Sequence, residues 1–164
     1  MDAGSRGDGA SRAAALGVLL VAAATIAGAL ASQHVFGLVP CKLCLWQRWP
    51  YYVGVPLAAL TAAAPGRVRP PGLVLLALLF LGSAGLAAYH AGAEWALWAG
   101  PSDCGGGTAP AASVEDLLKG LETTRVVSCT EAAWRFLGLS LAGWNALVSL
   151  GLAALAAWGA LRRR

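Results

Sequence analysis

Charge is what this sequence has least of: 12% of its 164 residues are Asp, Glu, Lys or Arg, against 58% in the hydrophobic class. A soluble domain carries about 25% charged residues to cover its surface, so the scarcity excludes an ordinary water-soluble fold. The charges that exist are clustered, and four runs have none: residues 13–41, 49–66, 70–93 and 136–161. Also missing is the period-two alternation of barrel strands, which excludes a membrane β-barrel. Isolated strands and loops cannot cross lipid either, because each unpaired backbone group costs several kcal/mol there. The expectation is an all-α integral membrane protein built as a bundle of four transmembrane helices. Neither an internal repeat nor a separate soluble domain is visible.

A helix rising about 1.5 Å per residue needs about 20 residues, and at least about 17, to cross a hydrocarbon core about 30 Å thick. The expected spans are residues 13–33, 46–64, 72–91 and 137–160, in a single membrane domain covering residues 1–164. The second is the weakest, being short and alanine-rich with Pro50 and Pro56 inside it. Its neighbours require it, since without it Cys41 and Cys44 would lie across the membrane from Cys104 and Cys129. The first run also fits a cleavable signal peptide, with Arg6 and Arg12 ahead of it and Ala29-Leu30-Ala31 resembling a cleavage site. Its length argues for retention, as do the three spans and very short new amino end that cleavage before Ser32 would leave.

Four spans put the termini and residues 65–72 on one side, and the loops 34–45 and 92–136 on the other. The first side carries seven cations (Arg6, Arg12, Arg67, Arg69, Arg162, Arg163 and Arg164) against Asp2 and Asp8, a net of +5. The second carries Lys42, Arg48, Lys119, Arg125 and Arg135 against six acids, a net of −1. The positive-inside rule then predicts cytoplasmic termini, with all four cysteines facing outward. Trp46, Trp49, Trp95, Trp98 and Trp134 fall at the outer ends of these spans, where amphipathic rings sit at headgroup level. The overall charge of +4 comes from these flanks rather than from a basic patch interleaved with aromatics, so nucleic acid is not an expected partner. In the second outer loop, Ser113-Val114-Glu115-Asp116 resembles a capping box, and Val114, Leu117, Leu118 and Leu121 recur at helical spacing. The spacing predicts a short amphipathic helix over 113–122, lying on the membrane or packed on the bundle ends.

The cysteines carry the chemistry. An outward face permits disulfides, so all four could be structural staples. The Cys41-Lys42-Leu43-Cys44 pair closes too small a loop to constrain the unfolded chain much, which suits a bond that opens and closes. A four-thiolate zinc cage is a further reading, but metal ribbons show a CxxC at both ends, and here 24 residues separate Cys104 from Cys129. Redox chemistry is the favoured reading, with zinc and stapling as its alternatives. Arg48 lies about one helical turn from Cys44, where a permanent cation and a helix amino end would stabilise a thiolate; a snorkelling interfacial role is its bland alternative. His90 and, one turn later, Glu94 stand at the outer end of the third span, placed either to relay a proton or simply to bond each other. His34 receives no role, and Ser140, Asn145 and Ser149 read as interhelical hydrogen-bonding groups.

The stretch Pro40-Cys41-Lys42-Leu43-Cys44-Leu45-Trp46-Gln47-Arg48 resembles the signature of the bacterial DsbB family. Tyr89-His90-Ala91-Gly92, Gly100-Pro101-Ser102-Asp103-Cys104, Ser128-Cys129-Thr130-Glu131 and Trp134-Arg135-Phe136 resemble later blocks of it, so the likeness covers roughly residues 30–150. The resemblance implies a multi-pass enzyme of the bacterial inner membrane, its cysteines on the periplasmic side. It would reoxidise a DsbA-like periplasmic thiol oxidase and pass the electrons to membrane quinone, ubiquinone or menaquinone. It implies two redox-active disulfides, Cys41–Cys44 and Cys104–Cys129. Cys104 would take the partner's attack, Cys129 would exchange with Cys41, and Cys44 would face the quinone, with Gln47, Arg48, His90 and Glu94 as candidate quinone-site residues. Lys42 inside the CxxC and the run Gly105-Gly106-Gly107 depart from the bare pattern and leave the pair's potential and the choice of partner open. Two rival readings are a four-helix assembly protein with structural disulfides and an enzyme of the vitamin K epoxide reductase type. The second has its shuttle pair before its CxxC, the reverse of the order here.

Overall fold

Long apolar runs become long helices. The structure, a computed structural model, describes residues 3–101, 113–114, 129–132 and 134–162. Its elements are α1 (Ala3–His34), α2 (Lys42–Trp46), α3 (Trp49–Ala63), a 3₁₀ turn (Gly66–Val68), α4 (Arg69–Glu94), the two-residue strands β1 (Arg135–Phe136) and β2 (Leu139–Ser140), and α5 (Leu141–Leu161). Three segments among the described residues are long and apolar enough to cross a membrane: Gly7–His34, Gly66–Glu94 and Leu141–Leu161. This is a mostly helical, multi-pass membrane protein.

The remaining helix departs from the expected span of 46–64. It is broken at Gln47 and Arg48 into α2 and α3, and α3 has 15 residues. At about 1.5 Å per residue that is roughly 22 Å, short of the membrane core. Pro50 starts α3 where a missing N–H costs nothing, whereas Pro56 lies inside it. The last span begins at Leu141 rather than 137, because residues 135–140 form an antiparallel hairpin, with Arg135 opposite Ser140 and Phe136 opposite Leu139. Leu137 and Gly138, both at positive φ (51° and 81°), make its two-residue turn. Ser140 then caps α5 by accepting the Gly143 N–H at 3.1 Å, so it is a helix cap rather than an interhelical group. Of the amphipathic helix expected over 113–122, Ser113 and Val114 alone fall within the described residues.

Helices apolar all round have no water-facing side, and exposed Leu20, Leu60, Leu78 and Leu81 point where lipid would be. The buried seam uses small residues instead: Ala14, Ala15, Val18 and Ala22 of α1, Ala58 of α3 and Ala156 of α5, with Leu73, Leu76 and Phe80 of α4 filling the centre. α4 packs on α5 and α3, while α1 packs on α3 and α5. A side chain at Gly159 would collide with the Ala14 methyl, so α1 and α5 approach as closely as their backbones allow. At the end opposite the cysteines, Arg69 is buried and donates to the Asp8 backbone oxygen and carboxylate (both 3.0 Å), to Ser11 Oγ (3.2 Å) and to the Ala64 carbonyl (2.8 Å). The sequence counted it among the cations of the side that carries the termini; the structure makes it the pin joining α1 to the turn before α4.

Candidate redox site

At the other end, α1 stops where Gly37 turns the chain at φ +67°, and the extended residues that follow lead to Cys41. Cys41 is the N-cap of α2, its sulfur accepting the Cys44 N–H at 3.2 Å. Helical spacing brings Cys44 Sγ to 2.6 Å from Cys41 Sγ, both free cysteines. Cys41 is 1% exposed.

α4 delivers His90, 3% exposed, with Nε2 at 3.8 Å from Cys41 Sγ. The two sulfurs and an imidazole nitrogen lie within 4.8 Å of one another. Gln47 donates its Nε2–H to His90 Nδ1 at 2.6 Å and accepts the Asn145 Nδ2–H on its own oxygen at 2.6 Å. Glu94 Oε1 stands 3.8 Å from His90 Nε2, and its second oxygen is buried with no partner. Arg48, 9% exposed, donates to Gln33 Oε1 at 2.5 Å and to the Ala29 carbonyl at 3.3 Å, which ties the head of α3 to the end of α1.

The site is electrostatically lopsided. Donation from the Cys44 thiol holds Cys41 down to about 5, from an ordinary 9.0; burial opposes this and the His90 imidazole reinforces it. The same contact, together with burial, pushes Cys44 above the ordinary thiol range. The pair thus keeps one proton, on Cys44, and puts the charge on Cys41. The sequence led to a different expectation, a thiolate at Cys44 beside Arg48. Here the guanidinium's hydrogen bonds go to Gln33 and Ala29, and the groups that stabilise charge on Cys41 are Cys44 and His90.

A cavity of about 340 Å³ opens against this cluster. Ile26 and Ala29 of α1 and Trp144 and Val148 of α5 form part of its apolar wall, and Cys41, Cys44, Gln47, Arg48, His90 and Glu94 supply its polar end. Cys129, fully buried, packs in one cluster with Cys41 and Leu43. It is held in a disulfide whose other half is outside the described residues, as is Cys104.

The family model of disulfide bond formation protein DsbB matches residues 11–159. The chain belongs to the DsbB family. Among its relatives is a disulfide bond formation protein B of Marinobacter nauticus, 36% identical over 148 residues, covering 82% of this chain and 86% of the relative. Another, from Stutzerimonas stutzeri, is 35% identical over 152 residues, covering 88% and 91%. A third, from Aromatoleum aromaticum, is 34% identical over 156 residues, covering 88% of each. No solved structure gives a significant match.

Seven of the eight site residues singled out from this DsbB-family sequence come together: Cys41, Cys44, Gln47, Arg48, His90 and Glu94 around one cavity, and Cys129 behind Cys41. Three contributors lay outside that set. Gln33, the last residue of the first expected span, is the acceptor for Arg48. Asn145 read as helix glue; it does join helices, to Tyr51 and Gln47, and it also lines the cavity. Tyr51, an aromatic in a weak span, carries a buried hydroxyl bonded to Asn145 at 2.5 Å. A polar residue inside an uncharged run was the available signal for each.

Proposed function

We propose that this protein is a membrane disulfide oxidoreductase that reoxidises a DsbA-like periplasmic thiol oxidase and passes the electrons to membrane quinone, ubiquinone or menaquinone. The observation that carries the reading is the cavity, apolar along α1 and α5 and lined at one end by a dithiol, a buried guanidinium and an imidazole. That donor set fits a quinone: Arg48 and His90 can donate to ring oxygens, and the apolar walls suit the ring and tail. Bound quinone supplies a two-electron, two-proton acceptor. Cys44 would lie against it, Gln47 and Arg48 would shape its site, and His90 and Glu94 would hold protons beside it.

The relay begins when the partner's thiolate attacks Cys104 of a Cys104–Cys129 disulfide, forming a mixed disulfide and releasing Cys129. The partner's second thiol resolves that bond and leaves oxidised. Cys129 attacks Cys41, opening Cys41–Cys44, and Cys104 then closes back on Cys129. Two electrons and two protons have now moved from the partner to Cys41 and Cys44. The packing of Cys129 against Cys41 supports this order. A DsbA-type partner has a potential near about −120 mV, so its reoxidation needs a strong acceptor, and quinone meets that need.

The placement we propose is the bacterial inner membrane, with one membrane domain of four spans, α3 making the second. Cytoplasmic termini and periplasmic cysteines follow from the net of +5 on one side and −1 on the other.

The test is thiol-dependent reduction of ubiquinone by the purified protein, with and without Arg48→Ala. The variant should show a KM for quinone raised at least about tenfold, the loss of one charge-assisted hydrogen bond; unchanged KM and turnover would remove Arg48 from the site. In the presence of quinone, a partner oxidase lacking its second cysteine should be captured as a mixed disulfide through Cys104, because its attack opens Cys104–Cys129 and no partner thiol remains to resolve the new bond. No capture, together with no oxidation of Cys41 and Cys44 by quinone, would end the enzyme reading.

A further inference from the structure

Seven side chains from α2, α3, α4, α5 and the link between α2 and α3 hydrogen-bond head to tail, and the direction of the chain can be followed from its far end. The Tyr51 hydroxyl gives its one proton to Asn145 Oδ1 at 2.5 Å, so its 3.0 Å contact with Ser149 Oγ is one in which Ser149 donates. Ser149 in turn accepts from Ser83 at 3.0 Å. Asn145, with its oxygen occupied, presents Nδ2 to Gln47 Oε1. Gln47, its own oxygen occupied, presents Nε2 to His90 Nδ1. A ring nitrogen that accepts carries no proton in a neutral imidazole, so the proton sits on Nε2, which faces Cys41 Sγ.

We infer that Asn145 and Gln47 are positioning residues: through this chain they hold the His90 proton on Nε2, aimed at the Cys41 sulfur. With the amides reversed, Nδ1 would donate to Gln47 and Nε2 would be left an acceptor, with nothing to give a thiolate. This gives Gln47, besides its place on the cavity wall, a task one residue behind the chemistry. The inference deepens the redox reading by naming what directs at Cys41 the imidazole N–H that reinforces the Cys44 contact. Its test uses neither quinone nor partner, so it can fail while that reading stands, and the reverse.

The measurement is the pH profile of iodoacetamide alkylation at Cys41 in the reduced full-length protein in micelles, resolved by peptide mass spectrometry. Other titratable or charged groups line the same cavity or pack on Cys41: Cys44 on α2, Arg48 at the head of α3, Glu94 on α4, Glu131 on the cavity wall and Cys129. None of them is altered by the substitution, so they cancel in the difference between variant and parent. Asn145→Leu should raise the Cys41 midpoint by about one pH unit, read as a roughly three- to fourfold lower rate below the midpoint once the gain in nucleophilicity is counted. In a His90→Phe background the same substitution should move nothing further, because the chain then has no imidazole to orient. An unmoved midpoint in Asn145→Leu alone, or an equal rise with His90 absent, overturns the inference. Should Asn145→Leu not fold, Gln47→Leu cuts the chain one link nearer the imidazole and is judged by the same two outcomes.

Discussion

The asymmetry of the Cys41–Cys44 pair makes a numerical demand on reactivity. With Cys41 at about 5 instead of 9.0, its thiolate fraction at pH 7 exceeds that of an ordinary thiol by about 100-fold, but intrinsic nucleophilicity falls by roughly 40–100-fold over the same four units. The two effects nearly cancel, so the absolute rate at pH 7 says little. At pH 5 they do not. There Cys41 is half ionised and an ordinary thiol about 0.01% ionised, a ratio of about 5000, which leaves Cys41 roughly 50–125-fold faster after the nucleophilicity loss. The sign follows from its being an acid with a lowered value: reactivity is on a plateau above about pH 5 and falls tenfold per unit below it. The same depression stabilises the dithiol over the disulfide at pH values above 5, which makes the oxidised pair a stronger oxidant, and that contribution disappears as the pH drops through 5. Alkylation rates at Cys41 and Cys44, followed separately from pH 4 to 9 in the reduced protein, decide the matter. Cys44, holding the shared proton, should stay unmodified until Cys41 has reacted. A Cys41 rate that climbs tenfold per unit between pH 6 and 8 would refute the reasoning, since that is how an unperturbed thiol behaves.

Two further predictions concern the scaffold. Arg69→Met removes the pin at the opposite end; because Asp8 is partly exposed and can rehydrate, the cost should be about 1–3 kcal/mol, read as a lower thermal midpoint in micelles with the Cys41 profile unchanged. An unchanged midpoint would show that the pin contributes nothing. Gly159→Val should lose about 1–3 kcal/mol by forcing α1 and α5 apart, and Ala14→Gly should recover part of that loss; no recovery would locate the strain elsewhere.

What could be read from the sequence follows the range of the physics involved. An uncharged run of 29 residues can satisfy its backbone in lipid only as a helix, so residues 13–41 forecast α1 without any tertiary information. The CxxC was equally plain, since its chemistry lies within one turn of chain. The break at Gln47 and Arg48 was not legible. It arises because Gln47 turns in toward His90 and Asn145 while Arg48 reaches back to α1, and both partners are distant in the chain. The hairpin of 135–140 was hidden for another reason: Trp134, Phe136 and Leu139 look like the start of an apolar span, and a two-residue strand has no period to detect. Arg69 was counted with the cytoplasmic cations because composition gives a residue's charge and not its burial.

Cys41 caps α2 with the same sulfur that carries the charge. A thiolate accepts a backbone N–H strongly, a thiol weakly, and a sulfur tied into a disulfide has little lone-pair density to offer. A five-residue helix has no reserve of internal hydrogen bonds to stand in for its cap. The order of the first turn of α2 is therefore tied to oxidation state: it is firmest when the pair is reduced and loosest when Cys41 is bonded to another sulfur. At that moment Cys44 is the residue whose position the slackened turn sets free, so electron flow through the site carries its own mechanical signal.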